Sequence, residues 1–135
     1  MANRYPTSKL VQILAIRALV ADMSKSPHAS EPVIVNTVNP GLCHSSLSRS
    51  MTGIQGWIFW LVRQVIARKT EVGSRALVYG AAAGKESHGE YMSICVVAPP
   101  SAFVRSEEGA EMQERVYGEL LKILEEIQPG ITKNI

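Results

Sequence analysis

Apolar residues crowd the start of the chain, where Leu10, Val11, Ile13, Leu14, Ile16, Ala18, Leu19 and Val20 follow one another with few interruptions. The run predicts a helix from about residue 5 to about residue 23, with Pro6 tolerated because first-turn N–H groups have no intrahelical acceptor. So little polar face remains that this helix must be covered on more than one side, by a sheet and by a partner helix. Residues 24–32 read as a polar turn with two prolines. Val33-Ile34-Val35 then opens a β-branched run to residue 38, of the kind found in strands buried on both faces. It is expected to be the core strand.

Beyond Gly41 lies a loop rich in serine (Ser45, Ser46, Ser48, Ser50), and then a second apolar helix over residues 54–67 bearing Trp57, Phe59 and Trp60. A third helix is expected from Thr70, read as its N-cap, to about residue 83, with Gly84 ending it. Residues 91–97 read as a second strand that Pro99-Pro100 stops. The last helix starts near Ser106, and Glu107 and Glu108 suit the positive end of its dipole. Met112, Val116, Leu120, Ile123, Leu124 and Ile127 form its apolar stripe, and Pro129-Gly130 closes it. Strand, long crossover and strand make a parallel pair joined in the right-handed sense, so the chain is a single α/β unit spanning residues 1–135. Two strands alone do not make a free-standing sheet.

With 135 residues, 46% hydrophobic and 19% charged, the chain is sized for one globular core and is too apolar for disorder. Fourteen Lys and Arg against 12 Asp and Glu are scattered without a basic stripe, which argues against nucleic acid as a partner. Cys43 and Cys95 lack C-x-x-C spacing and suggest a reduced, cytoplasmic protein. The tryptophan-bearing helix is too short to span a bilayer and carries Arg63 and Gln64. With Arg68 and Lys69 beside it, it could lie on a membrane surface or cover a substrate pocket. His28, His44 and His88 are far apart and Asp22 is the one aspartate, so no metal-site spacing is present. No G-x-S-x-G elbow occurs.

The candidate chemistry lies at two places. Tyr5 and Lys9, four residues apart, rise from the same helical face. A phenol is a poor proton carrier at neutral pH, and an adjacent ammonium favours its phenolate, so the pair suits redox or enolisation chemistry at a C–O centre. Asn39-Pro40-Gly41 falls where the first strand ends, which is where open α/β sheets place their ligands.

In this order, Tyr5 to Lys9, the strand running into Asn39-Pro40-Gly41, and Gly89-Glu90-Tyr91-Met92-Ser93 make the chain resemble the C-terminal half of a short-chain dehydrogenase/reductase. Thr70 through Ala81-Ala82-Ala83-Gly84-Lys85-Glu86-Ser87-His88-Gly89 is similar to the retinol-dehydrogenase-like branch, particularly its fungal members. The resemblance implies the sixth and seventh strands of a Rossmann-like doubly wound sheet, with two strands, about four helices and no N-terminal dinucleotide-binding βαβ units. It implies an NADP- or NAD-dependent oxidoreductase that interconverts an alcohol and a ketone or aldehyde on a lipophilic molecule such as a retinoid, steroid or fungal secondary metabolite.

Tyr5 would then be the general acid or base, Lys9 would support it and bind the nicotinamide ribose, and both Tyr5 and Lys9 would line the cofactor site. Pro40 and Gly41 would shape the cofactor bend, Cys43 would meet the carboxamide through its backbone, and Ser45 would reach the phosphates. The glycine-rich phosphate loop that anchors the pyrophosphate has no counterpart in the chain, which is therefore expected to be a truncated member. The alternative is a non-catalytic module that pairs with a full-length relative, or with itself, through the first helix. Leu14 and Ala18 mark that surface.

Overall fold

The computed structural model describes residues 4–26, 29, 33–45 and 53–135, so that His28, the two prolines of the polar turn, Ser46, Ser48 and Ser50 lie outside the described residues. Within them run α1 (Arg4–Met23), β1 (Thr37–Asn39), α2 (Gly53–Ile66), α3 (Thr70–Ala82), β2 (Tyr91–Ser93), β3 (Val96–Val97) and α4 (Glu107–Ile127). The sheet order is β1-β2-β3, with β1 parallel to β2 and β3 antiparallel to it. The architecture is α/β, consistent with part of a Rossmann-like domain.

Two expectations about the strands are corrected. The second strand does not continue to residue 97; it stops at Ser93 and turns back through Ile94 and Cys95 into β3, pairing Met92 with Val97 and Ser93 with Val96. Both turn residues have positive φ, 53° and 63°, which is the conformation a two-residue hairpin needs to match the strand twist. The first strand is also shorter than its β-branched run. Val35 gives its N–H to Nδ1 of His88 (3.2 Å) and its carbonyl to the Gly89 N–H (2.7 Å), so an imidazole stands where a ladder acceptor would otherwise pair. Nor is the run buried on both faces: Val33 is 74% exposed, Ile34 is exposed as well, and the residues of β1 are only half-buried.

Helix α3 lies close on β1 because the residues facing the strand are small: Gly73, Ala76 and Gly80 are buried. A Cβ at Gly80 would collide with Cγ2 of Val38, and one at Gly73 with Sγ of Cys43. Asn36, two residues before Val38 and so on the same face of the strand, donates its amide to Gly80 O (2.8 Å) and to Oγ of the buried Ser87 (3.0 Å). Thr70 is not the N-cap of α3. Lys69 occupies that place without a side-chain bond, and the Thr70 hydroxyl donates instead to His44 O (2.7 Å). Gly84 does not end the helix by a left-handed turn either, since Ala83 leaves it in extended conformation.

On the other side of the core, α1 packs against α4. Leu14 is fully buried and Ala18 nearly so, with Tyr117 of α4 buried as well. The face marked by Leu14 and Ala18 is thus occupied within the chain, and any partner of the first helix would have to meet its exposed side, around Val11. Burial first, and then the charge of Asp22 and a contact with that carboxylate, push the Tyr117 phenol up to about 12. That contact falls short of ordinary hydrogen-bond geometry. The start of α4 follows the sequence: Ser106 Oγ accepts from the Gly109 N–H (3.2 Å), and Glu107 and Glu108 sit in the first turn.

Helix α2 has no buried side chain among its described residues. Trp57 is 63% and Val65 81% exposed, and Ile54, Ile58 and Leu61 share that outward side. No helix among the described residues is long and apolar enough to cross a membrane.

Candidate functional site

The first turns of α1 bring Tyr5 and Lys9 together. Lys9 Nζ lies 5.6 Å from the centre of the Tyr5 ring and donates to Oε1 of Gln12 (3.0 Å), so the ammonium is steered over the phenol face by a neighbour one turn further on. Ser8 returns its hydroxyl to Tyr5 O (2.8 Å). Tyr5 is half exposed and Lys9 exposed, so both polar ends are open to a ligand.

The second cluster is the bend after β1, and Asn39 organises it. Its Oδ1 accepts from the Gly41 N–H (2.9 Å), closing an Asx turn around Pro40, while its Nδ2 donates to the Tyr91 hydroxyl (2.9 Å). Its carbonyl accepts from the Ile94 N–H (3.1 Å). Gly41 has φ +77°, which glycine adopts without a steric cost, and the Ile94 side chain lies over it.

Beyond the bend, Cys43 forms an isolated parallel bridge with Arg68. Arg68 donates to Leu42 O (2.9 Å) and His44 donates to Arg68 O (3.0 Å), so the Cys43 peptide groups point away from that pairing. The Cys43 N–H has no hydrogen-bond partner among the described residues. The Cys43 thiol faces inward, toward the Pro40 and Gly41 carbonyls and the hollow left by Gly73. Ser45 is exposed, and its carbonyl accepts from Arg63 of α2 (3.0 Å), which ties the start of the loop to the tryptophan helix.

Pro40, Gly41, Cys43 and Ser45 therefore form one continuous edge, and Tyr5 with Lys9 forms a separate pair. The donor set on that edge fits the nicotinamide end of a dinucleotide: an open backbone N–H, a glycine that permits close approach and a hydroxyl. No glycine-rich loop for the pyrophosphate accompanies it. Among the described residues no group of three or more His, Cys, Asp or Glu side chains could hold a metal ion.

Residue patterns marked Asn39 with the Pro-Gly bend but missed its bond to Tyr91, and they missed His88 and Ile94 altogether. Asn39 had a signal, since Asn before Pro-Gly favours an Asx turn, but its second bond to Tyr91 depends on strand pairing. His88 and Ile94 had none, because neither a histidine serving as a ladder acceptor nor an isoleucine at positive φ is expected from residue type.

No family model matches the chain, and no solved structure matches it. Among curated proteins it is similar to a short chain dehydrogenase/reductase of Cryptosporiopsis sp., 48% identical over 132 residues, covering 98% of this chain and 39% of the relative. A short-chain dehydrogenase of Penicillium roqueforti is 42% identical over 97% of this chain and 35% of its own length. A short chain dehydrogenase of Gibberella zeae is 37% identical over 97% of this chain and 38% of its own. The chain thus spans well under half the length of the curated relatives it matches.

Proposed function

Because the chain belongs to the short-chain dehydrogenase/reductase family, we propose that it carries the proton-transfer and nicotinamide-facing part of an oxidoreductase. The reaction interconverts an alcohol with a ketone or aldehyde on a lipophilic small molecule. The nicotinamide cofactor, when bound, supplies or accepts the hydride at the carbonyl carbon. Tyr5 gives the proton to the carbonyl oxygen or takes it back from the alcohol. Lys9 holds charge beside the phenol and binds the ribose, Cys43 meets the carboxamide through its backbone, and Ser45 offers a hydroxyl to the phosphates. NADP is favoured over NAD by the branch that residues 70–89 resemble.

The observation that carries this proposal is the pairing of Lys9 with the Tyr5 ring on one exposed helical turn. Val20 lies against Gly89, just ahead of β2, so the carboxyl end of α1 is at the amino end of the sheet. The apolar outward side of α2, tied to the edge beyond the Pro40-Gly41 bend through Arg63 and Ser45, suits a lipophilic substrate.

The test is NADPH oxidation by the purified chain in the presence of a hydrophobic ketone. Tyr5→Phe is expected to lower the rate by about 10²-fold or more while leaving NADPH affinity unchanged. Lys9→Met is expected to weaken both rate and affinity. A rate indifferent to Tyr5→Phe sinks the proposal.

A further inference from the structure

Ile54, Trp57, Ile58, Leu61 and Val65 recur at helical spacing along one side of α2, and all five are exposed. Arg63, nine residues after Ile54 and so on the opposite side, donates to Ser45 O (3.0 Å). The stripe is thus turned away from the loop that Arg63 holds. At 14 residues the helix is about 21 Å long, too short to cross a bilayer but long enough to lie along one.

Charge says what such a stripe can meet. Residues 32–70 contain Arg49, Arg63, Arg68 and Lys69 and not one Asp or Glu, whereas the rest of the chain holds ten basic residues against all 12 acidic ones. Arg68 and Lys69 come just after the helix and are exposed, and their side chains make no hydrogen bond or ion pair among the described residues. Glu71, the next carboxylate along the chain, is paired with Arg75. The cationic end of α2 is left to an outside anion. Tryptophan, with an apolar ring and one N–H donor, suits the boundary between acyl chains and headgroups, and basic residues beside it suit anionic headgroups. A second copy docking by the same face would bring the same acid-free segment and no carboxylate to meet it.

We propose that the outward side of α2 is a docking surface for an anionic lipid bilayer: its apolar stripe enters the headgroup boundary while Arg68 and Lys69 meet the lipid phosphates. The proposal stands apart from the oxidoreductase reading, although a lipophilic substrate of the class named above would dissolve in the same bilayer.

The test is sedimentation of the purified chain with phosphatidylcholine vesicles, with and without phosphatidylserine, in the absence of cofactor and substrate. Binding is expected to be about tenfold or more tighter with phosphatidylserine and to weaken as salt is raised. Emission from the tryptophans should shift to the blue and be quenched by brominated acyl chains. Ile54→Ser with Val65→Ser keeps both tryptophans and touches no buried side chain, so it should cut binding by about tenfold or more at an unchanged melting temperature. Arg68→Gln with Lys69→Gln should abolish the preference for phosphatidylserine. Equal binding to the two vesicles overturns the proposal, as does binding that the serine substitutions leave intact. So does failure to bind either vesicle; if the serine substitutions then remove the concentration dependence of sedimentation, the face belongs to a second copy of the chain.

Discussion

At Gly80 the methyl group of an alanine would already be too much. The Val38 side chain fills the space a Cβ would need, and the Gly80 carbonyl is held by Asn36, so α3 cannot move off the strand without breaking that bond as well. Gly80→Ala is expected to destabilise the chain by about 1 to 3 kcal/mol, the usual cost of overpacking, although alanine is the better helix former. Urea denaturation of the two proteins gives the difference, and an unchanged midpoint would show that the seam is loose. Single residues were the hardest level to read from sequence. The Tyr5–Lys9 contact follows directly from helical spacing, and the bend at Asn39-Pro40-Gly41 from its turn residues. The His88–Val35 bond and the left-handed Ile94 depend on chain segments brought together only by folding. Thr70 shows the converse, a residue type favoured at N-caps whose hydroxyl found His44 O instead.

Elements were more legible where periodicity was long. Helices α1 and α4 begin and end where their apolar runs and caps predict, down to Ser106 as the N-cap and a left-handed Gly130, whose N–H donates to the Glu125 carboxylate (2.6 Å) after the last turn of α4. Short strands were not, because an apolar run of seven residues reads alike whether it stays straight or folds back as β2 and β3. The α1–α4 seam carries a pH signature. Tyr117 has its phenol pushed up from 10 to about 12, so the folded state holds that proton more tightly than the unfolded one. The associated stability is fully present below pH 10 and is lost as pH rises through about 12. Tyr117→Phe is expected to flatten this part of the alkaline decline in urea midpoints. A decline as steep as the parent's would mean the seam is indifferent to that ionisation.

Across the whole molecule the buried core is small for the apolar content. Leu14, Ala18, Ala76, Met92, Val104 and Tyr117 are its buried apolar residues among those described, whereas α2, the outer side of α3, the entry to β1 and the end of α4 leave large side chains in water. Covering each such side chain contributes roughly 1.5 to 3 kcal/mol, and a few of them equal the margin of an ordinary domain. The purified chain is accordingly expected to self-associate, with a sedimentation coefficient that rises with concentration and a melt that sharpens in parallel. A monodisperse 14.7 kDa monomer with a sharp, reversible melt would contradict this. The α/β class and the helix count were legible from sequence. So was the open flank of β1, which follows from a strand whose neighbours in the full sheet are absent; the antiparallel β3 on the other side of β2 was not.

The inward-facing thiol of Cys43 gives the seam between bend and helix a chemical handle. Its sulfur occupies the hollow that Gly73 leaves by lacking a side chain, with the Pro40 and Gly41 carbonyls on its other side. Cys43 is half-buried, and an adduct that extends from its sulfur toward Gly73 comes between the two backbones. An electrophile should therefore label Cys43 more slowly than a fully exposed thiol, and a bulky adduct should press the bend and the helix apart.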